Sequence, residues 1–351
     1  MITPKNLLIV RTDRIGDVVL SLPLAGIIKK HYPECRITFL LREYTLPLAL
    51  NNPFIDEVIV LKENNGKVLL NDNIHLVSKN KYDSVIVVSP SFIITLLIFL
   101  CRIKNRIGTG YRWYSFFFNR KIYEHRKYGE KHELEFNVDL LAPFGINESI
   151  NYENVKFNFY PGEAGKAVIR KTFEENKIPS NKPVIIIHPG SGGSAVDWPV
   201  NKFKQLIKSI LDELDVSILL TGSKSEISLC EELRVSEKIK NFAGKFDLAE
   251  LIALIDTCDI FISNSTGPIH IAAALGKYTI GFYPKIPACS PKRWGPYTKR
   301  RVVFTPSIEC FGCTRKQCEM LNCMDSIKTE DVMAEIKKEY KTISKYGELN
   351  A

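Results

Sequence analysis

The 351-residue sequence lacks any apolar run long enough to cross a bilayer. The longest, residues 92–101, is interrupted by Thr95 and closed by Arg102, well short of the roughly 20 residues a span requires. It also lacks the pattern of a secretory signal, because the apolar residues 7–10 run straight into Arg11, Asp13 and Arg14. Without an export signal the nine cysteines read as thiols of a reducing cytosol, and disulfides are not expected. No short tandem repeat and no low-complexity tail is present, which excludes solenoids and arrays. Nor does a nucleic-acid-binding motif accompany the formal net charge of +9. What is there is the composition of a soluble globular protein, 45% hydrophobic and 25% charged, in a chain long enough for two domains.

Strand and helix patterns alternate twice along that length. In the first half residues 7–10, 37–41, 58–61 and 84–89 read as strands, and 18–30 carries apolar residues at helical spacing. In the second half 184–187, 216–221, 239–242, 260–263 and 279–282 read as strands, with amphipathic helices at 200–212, 226–234 and 248–257. Such alternation predicts an α/β protein with parallel sheets and helices on both faces. The polar stretch 151–183 reads as a linker, so two similar domains face each other across a cleft, a common place for ligands.

Four loops sit where such sheets place ligands, after the strands. The segment at 263–276 is the most informative: a buried strand, a polar hinge of Ser265, Thr266 and Gly267, then a helix opened by Pro268 and closed by Gly276. Backbone N–H groups at a helix start lack intrahelical partners and attract phosphate, although an ordinary capped helix reads the same way. Gly190, Ser191 and Gly192 follow one strand, and Thr221, Ser223 and Glu226 follow another. These glycines and hydroxyls let backbone N–H groups meet a pyrophosphate, and Glu226 could accept from a base or ribose. The fourth loop, residues 11–17, holds cations, carboxylates and a glycine at a turn into a helix. The second domain thus reads as a nucleotide binder, and the first presents a carboxylate.

The charge is uneven. Between residues 101 and 131 about nine Lys or Arg stand against two Glu, interleaved with Tyr111, Trp113, Tyr114, Phe116, Phe117, Phe118, Tyr123 and Tyr128. Three readings stay open: an anionic membrane surface or acidic acceptor, nucleic acid, or aromatics that are core beneath a solvated basic face.

In their order along the chain, the stretch from Arg11-Thr-Asp-Arg-Ile-Gly-Asp17 to Pro23, His188-Pro-Gly-Ser-Gly-Gly193, Asp197-Trp-Pro199, Asn241-Phe-Ala-Gly-Lys245 and Ser263-Asn-Ser-Thr-Gly-Pro-Ile-His270 resemble a known motif set. It is that of glycosyltransferase family 9, the ADP-heptose:lipopolysaccharide heptosyltransferases. The resemblance implies a GT-B architecture of two Rossmann-like parallel-sheet domains. Residues 1–160 would bind acceptor, 161–326 would bind nucleotide sugar, and a final helix within 327–351 would pack back on the first domain. It implies inverting, metal-independent transfer without a cofactor, from ADP-heptose or a related donor to a lipopolysaccharide-core or other lipid-linked acceptor. The place would be the inner face of the cytoplasmic membrane, in peripheral contact with its anionic surface. A GT-B sugar-nucleotide epimerase and a decayed nucleotide-sugar or glycan binder are the alternatives.

By the same resemblance Asp17 is the general base, taking the acceptor hydroxyl's proton. Near a helix N-terminus it should be ionised and weakly basic, or else merely a helix cap. Arg11 and Arg14 could bind an acidic acceptor sugar or pair with Asp13, and Phe246 would line the nucleotide pocket or pack in the core. His270 would brace the hinge or donate to phosphate. Two departures stand out: Val196 where the family commonly has a phosphate-binding lysine, and Ser265 where it tends to have Asp. Near the end, Cys310, Cys313, Cys318 and Cys323 suit zinc by ligand type, with spacings looser than a zinc ribbon's; buried reduced thiols are the other reading.

Overall fold

The protein is described by a computed structural model covering residues 2–310, 312 and 314–349, with side chains as far as residue 344. The chain divides into two compact units, Met1–Tyr160 and Pro161–Ala351. In the first, strands β1 (Asn6–Val10), β2 (Arg36–Leu41), β3 (Glu57–Val60), β4 (Ser84–Val87), β5 (Asn105–Thr109) and β6 (Arg120–Ile122) form one sheet in the order β3-β2-β1-β4-β5-β6. Every pairing is parallel, with Val10 opposite Leu40 on one side and Val87 on the other. The central strands are apolar on both faces because helices cover both sides of a parallel sheet. Leu7, Leu8, Ile9 and Val10 are all buried for this reason.

The second unit repeats the plan with β7 (Val184–His188), β8 (Ser217–Leu220), β9 (Lys240–Asn241), β10 (Ile260–Asn264), β11 (Tyr278–Phe282) and β12 (Arg301–Phe304). Their order is β9-β8-β7-β10-β11-β12, again all parallel. Two such doubly wound sheets make the GT-B architecture. In each, the strand order reverses beside the first strand, leaving a crevice at the strands' carboxyl ends where open α/β sheets bind ligands.

Several elements differ from the sequence reading. β5, β6 and β12 were not anticipated, because their Arg and Lys residues interrupt apolar patterning at the exposed side of each sheet. The helical pattern at 18–30 is two helices, Ile15–Val19 and Pro23–His31, the second opened by Pro23. The linker stretch contains the helix Glu163–Glu175, which packs on Leu248–Asp256 in the second unit. The longest apolar run forms the helix Phe92–Leu100.

Trp198 organises the second core. Its ring is buried, stacks on Phe282 at 4.2 Å and meets Phe203 edge-on at 4.9 Å. The final helix, Thr329–Leu349, adds Val332, Met333 and Ile336 to the same core.

Candidate active site

The loop after β1 lies at the reversal of the first sheet. Arg11, its first residue, is 1% exposed, and its guanidinium faces three carboxylates. Nε is 3.1 Å from Asp13, one terminal nitrogen is hydrogen-bonded to Asp17 Oδ1, and the same nitrogen is 3.6 Å from Glu133. Glu133 is in turn held by Arg126 at 2.5 Å. This is a buried network of three carboxylates and two guanidiniums. It survives burial because each charge has an opposite partner, with hydrogen bonds from Arg11 to Asp17 and from Arg126 to Glu133. The Arg11 guanidinium is stabilised in its charged form: burial works against it, and Asp13, Asp17 and Glu133 together outweigh that cost.

Asp17 keeps 18% of its side chain exposed. Its carboxyl pKa is raised, first by burial and then by the neighbouring Asp13 and Glu133 charges, with Arg11 opposing. A helix start would make Asp17 a weak base, but this helix is only five residues long and burial outweighs its dipole. Nor is Asp17 a cap: the N-cap is Arg14, and the Asp17 carboxylate bonds Arg11. Arg14 itself is exposed. Asn137 fixes the far end of the short helix, donating to Leu20 O at 3.0 Å and Ser21 Oγ at 3.3 Å while accepting from Arg126 at 3.0 Å.

Beside this network lies a cavity of about 550 Å³ whose wall includes Thr12, Asp13, Arg42, Lys67, Ser89 and Ser91. Arg42 is 3.4 Å from Glu63, and Lys67 is exposed. Neither Arg42 nor Lys67 nor Glu133 was singled out from the sequence. Arg42 and Lys67 carry no motif signal, and Glu133 meets Arg11 across 122 residues of chain.

In the second unit three loops meet at the sheet reversal. Glu226 ties two of them together: Oε1 accepts from Gly192 N at 3.2 Å, and Oε2 accepts from Ser223 N at 2.7 Å and Ser223 Oγ at 2.8 Å. Burial opposes its charge, but Ser223 and the nearby His188 hold its pKa below the usual carboxylate range. Gly190 is demanded by this contact, since a Cβ there would lie 1.8 Å from Glu226 Oε1. Gly192 and Gly193 adopt φ of +54° and +74°, a region that favours glycine. His188 is buried against Thr221, 3.0 Å between Nδ1 and Oγ1. Burial drives its pKa down to about 4, with Glu226 pulling the other way, so the ring is neutral at physiological pH.

The third loop joins through Asn264, a fully buried residue that sequence reading passed over although it ends an apolar strand with an amide. Its Oδ1 accepts from Trp198 N at 2.8 Å and its Nδ2 donates to Pro189 O at 2.5 Å. Ser194 Oγ donates to Ser191 O at 2.7 Å and to Ser265 O at 3.1 Å. Ser265, Thr266 and Gly267 are half-buried at the start of the helix Gly267–Ala274, whose N-cap Thr266 makes no side-chain cap. His270 is buried, 6.5 Å from the Trp294 ring. Phe246 is half-buried, tilted on Phe242 at 5.4 Å. Val196 belongs to the apolar core. A cation reaches the glycine loop from elsewhere: Arg315 donates to Gly193 O at 2.5 Å and Ala195 O at 3.0 Å.

Of the four late cysteines, Cys318 is buried in the second core with Cys323 packed against it, Cys310 is half-buried, and Cys313 lies outside the described residues. Among the described residues no three His, Cys, Asp or Glu groups converge as a metal site.

Residues 74–324 match the sequence profile of glycosyltransferase family 9 (heptosyltransferase). A Haemophilus influenzae protein named only as a glycosyltransferase is 30% identical over 86% of this chain and 89% of its own length. Lipopolysaccharide heptosyltransferase 3 of Escherichia coli is 25% identical over 82% of this chain and 85% of its own. The solved E. coli ADP-heptose lipopolysaccharide heptosyltransferase II shares the fold, with a TM-score of 0.77 and 19% identity over 97% of this chain and 99% of that one. The chain belongs to glycosyltransferase family 9, the heptosyltransferase family.

Proposed function

We propose that the protein transfers a heptose with inversion from ADP-heptose to an acidic, lipid-linked acceptor of the lipopolysaccharide-core type, with Asp17 as general base. The observation that carries this reading is the Arg11–Asp17–Glu133 network at the reversal of the first sheet, with the cavity bounded by Thr12 and Asp13 beside it. An acceptor hydroxyl attacks the anomeric carbon as the bond to the diphosphate breaks, and its proton passes to Asp17 Oδ2. Arg11 holds Oδ1 and keeps the carboxylate oriented. A raised pKa makes Asp17 a stronger base than a free aspartate. Arg11 is spent on carboxylates, so acceptor anions fall to Arg14, Arg42 and Lys67.

The departing diphosphate is received by backbone N–H groups at Thr266 and Gly267 and by the Gly190–Gly192 turn, rather than by a metal. Phe246 and Thr221 line the nucleotide side, and His270 and Glu226 brace the two turns. The donor is inferred from the relatives' names and the phosphate-accepting turns, and work on a lipid-linked acceptor puts the protein at the inner face of the cytoplasmic membrane.

The test is transfer from ADP-heptose to a delipidated core acceptor, followed with and without chelator. Asp17→Asn is expected to lower kcat by about 10²–10⁴-fold with ADP affinity unchanged, and chelator to change nothing. Full activity of Asp17→Asn sinks the mechanism. Conversion of the nucleotide sugar without acceptor would favour the epimerase alternative.

A further inference from the structure

The helix Phe92–Leu100 is apolar at every position except Thr95, and such a helix is normally enclosed. Here one face, Ile94, Leu97 and Ile98, enters the first core, while Phe92, Phe99 and Leu100 are exposed. The exposed side is extended by the loop that follows β5. Trp113, 73% exposed, stacks on Phe92 at 5.0 Å, and Phe116, 62% exposed, lies 4.3 Å from Phe117. Phe117 in turn contacts Phe99 at 4.8 Å, so the rings form one continuous surface stripe. The stripe is built rather than loose: Arg106 lies over Phe99 and donates to Phe117 O at 2.8 Å and Ile103 O at 2.6 Å, pinning loop to helix. Of the eight aromatics between residues 101 and 131, Tyr114 and Phe118 are buried, so the core reading of this segment fails for most of them.

The rim of the stripe is cationic. Arg102, Lys104, Arg112, Arg120 and Lys121 are exposed, and among the described residues none of the five has a carboxylate partner. Ring systems flanked by unpaired cations match the headgroup zone of an acidic bilayer, where aromatics sit at the apolar boundary and cations meet lipid phosphates. Position adds a reason. Ser91, which caps this helix, and Ile93 line the cavity beside the Asp17 loop, so the stripe starts at that cavity's edge. Among the described residues no helix is long and apolar enough to cross a membrane.

We infer that this stripe and its cationic rim dock the protein on an anionic phospholipid bilayer, keeping the acceptor cavity next to the surface that carries the acceptor. The inference rests on the lipid-linked acceptor of the proposed function. Its test reads the surface alone, without donor or acceptor: full-length protein is floated with vesicles of phosphatidylcholine, or of phosphatidylcholine with phosphatidylglycerol. Binding is expected with the anionic vesicles, absent with the neutral ones, and lost in high salt. Arg112→Ala with Lys121→Ala should lower partitioning about thirtyfold, at roughly a factor of five per surface cation. Trp113→Ala with Phe116→Ala should abolish it, while melting temperature and transfer to a delipidated acceptor stay unchanged. Equal binding to both vesicle types, or an aromatic double variant that binds like wild type, overturns the inference. So does a dimer that the aromatic variant dissociates, or binding of single-stranded oligonucleotide in preference to vesicles. Wild-type protein that transfers heptose but binds neither vesicle type refutes the docking surface alone, and wild-type protein that binds anionic vesicles without any transfer refutes the catalytic reading alone.

Discussion

Replacing Arg11 by Met tests whether the network around Asp17 is built to tune a base. The guanidinium is fully buried and contacts Asp13, Asp17 and Glu133, so methionine fills much of its volume but leaves three carboxylates with Arg126 alone. Breaking a buried ion pair from one side costs about 3–5 kcal/mol, and at least that is expected in denaturant unfolding. The catalytic consequence is separate. Arg11 is the cation that holds down a carboxyl already raised by burial. Its removal should push the acid limb of kcat/KM to higher pH.

Stability should follow with a defined sign. In the variant Asp17 binds its proton more tightly folded than unfolded, so folding is favoured where that proton is bound and the benefit is lost as pH rises through the folded pKa. The deficit against wild type is therefore smaller in mild acid than at neutrality. Arg11→Lys should fall between, because an ammonium cannot reach Asp13 and Asp17 with two separate nitrogens. An acid limb that stays in place, with a stability loss below about 1 kcal/mol, would refute the tuning argument. A raised acceptor KM with an unmoved limb would return Arg11 to acceptor binding.

Two further outcomes concern the second unit. Gly190→Ala sets a methyl against Glu226 Oε1 and should displace the carboxylate from Gly192, weakening ADP binding by about 1–3 kcal/mol in calorimetry; unchanged affinity would mean this turn does not touch the nucleotide. His188, with a folded pKa of about 4 against 6.5 unfolded, contributes stability that is complete above the unfolded value and lost as pH falls toward 4. Denaturant unfolding should lose about 2 kcal/mol from this group between about pH 6.5 and pH 5, and His188→Asn should flatten that slope.

Both sheets were legible because parallel strands buried on two faces are short apolar runs, and such runs between amphipathic helices admit few other readings. The strands that escaped notice, Asn105–Thr109, Arg120–Ile122 and Arg301–Phe304, have charged residues where a central strand would be apolar. At the site, the turns proposed to take phosphate could be picked out locally, since glycine, serine and a helix start occur within a few residues of one another. The carboxylate network could not. Arg11 beside Asp13 admits either ligand binding or pairing, and the contacts that favour pairing reach it from Glu133, itself held by Arg126, on a distant segment. The basicity of Asp17 is hidden for the same reason: a helix start is visible in sequence, and the desolvation that raises its pKa is not.

The two departures from the family pattern become intelligible through what each position touches. Val196 packs in the core that contains Trp198 and Phe203, so a lysine there would have to carry its ammonium out of an apolar shell. Ser265 works largely through its backbone: its N–H donates to Phe282 O at 3.1 Å and its carbonyl accepts from Ser194 Oγ. Its hydroxyl meets the buried Tyr283 phenol, whose pKa burial raises, and a carboxylate in that place would face a group unable to neutralise it. The lost cation and lost carboxylate therefore remove charge from a site whose frame is made by backbone N–H groups and by Asn264 and Glu226, all of them still present. Phosphate recognition is expected to survive both changes, and discrimination among sugars must come from side chains other than these two.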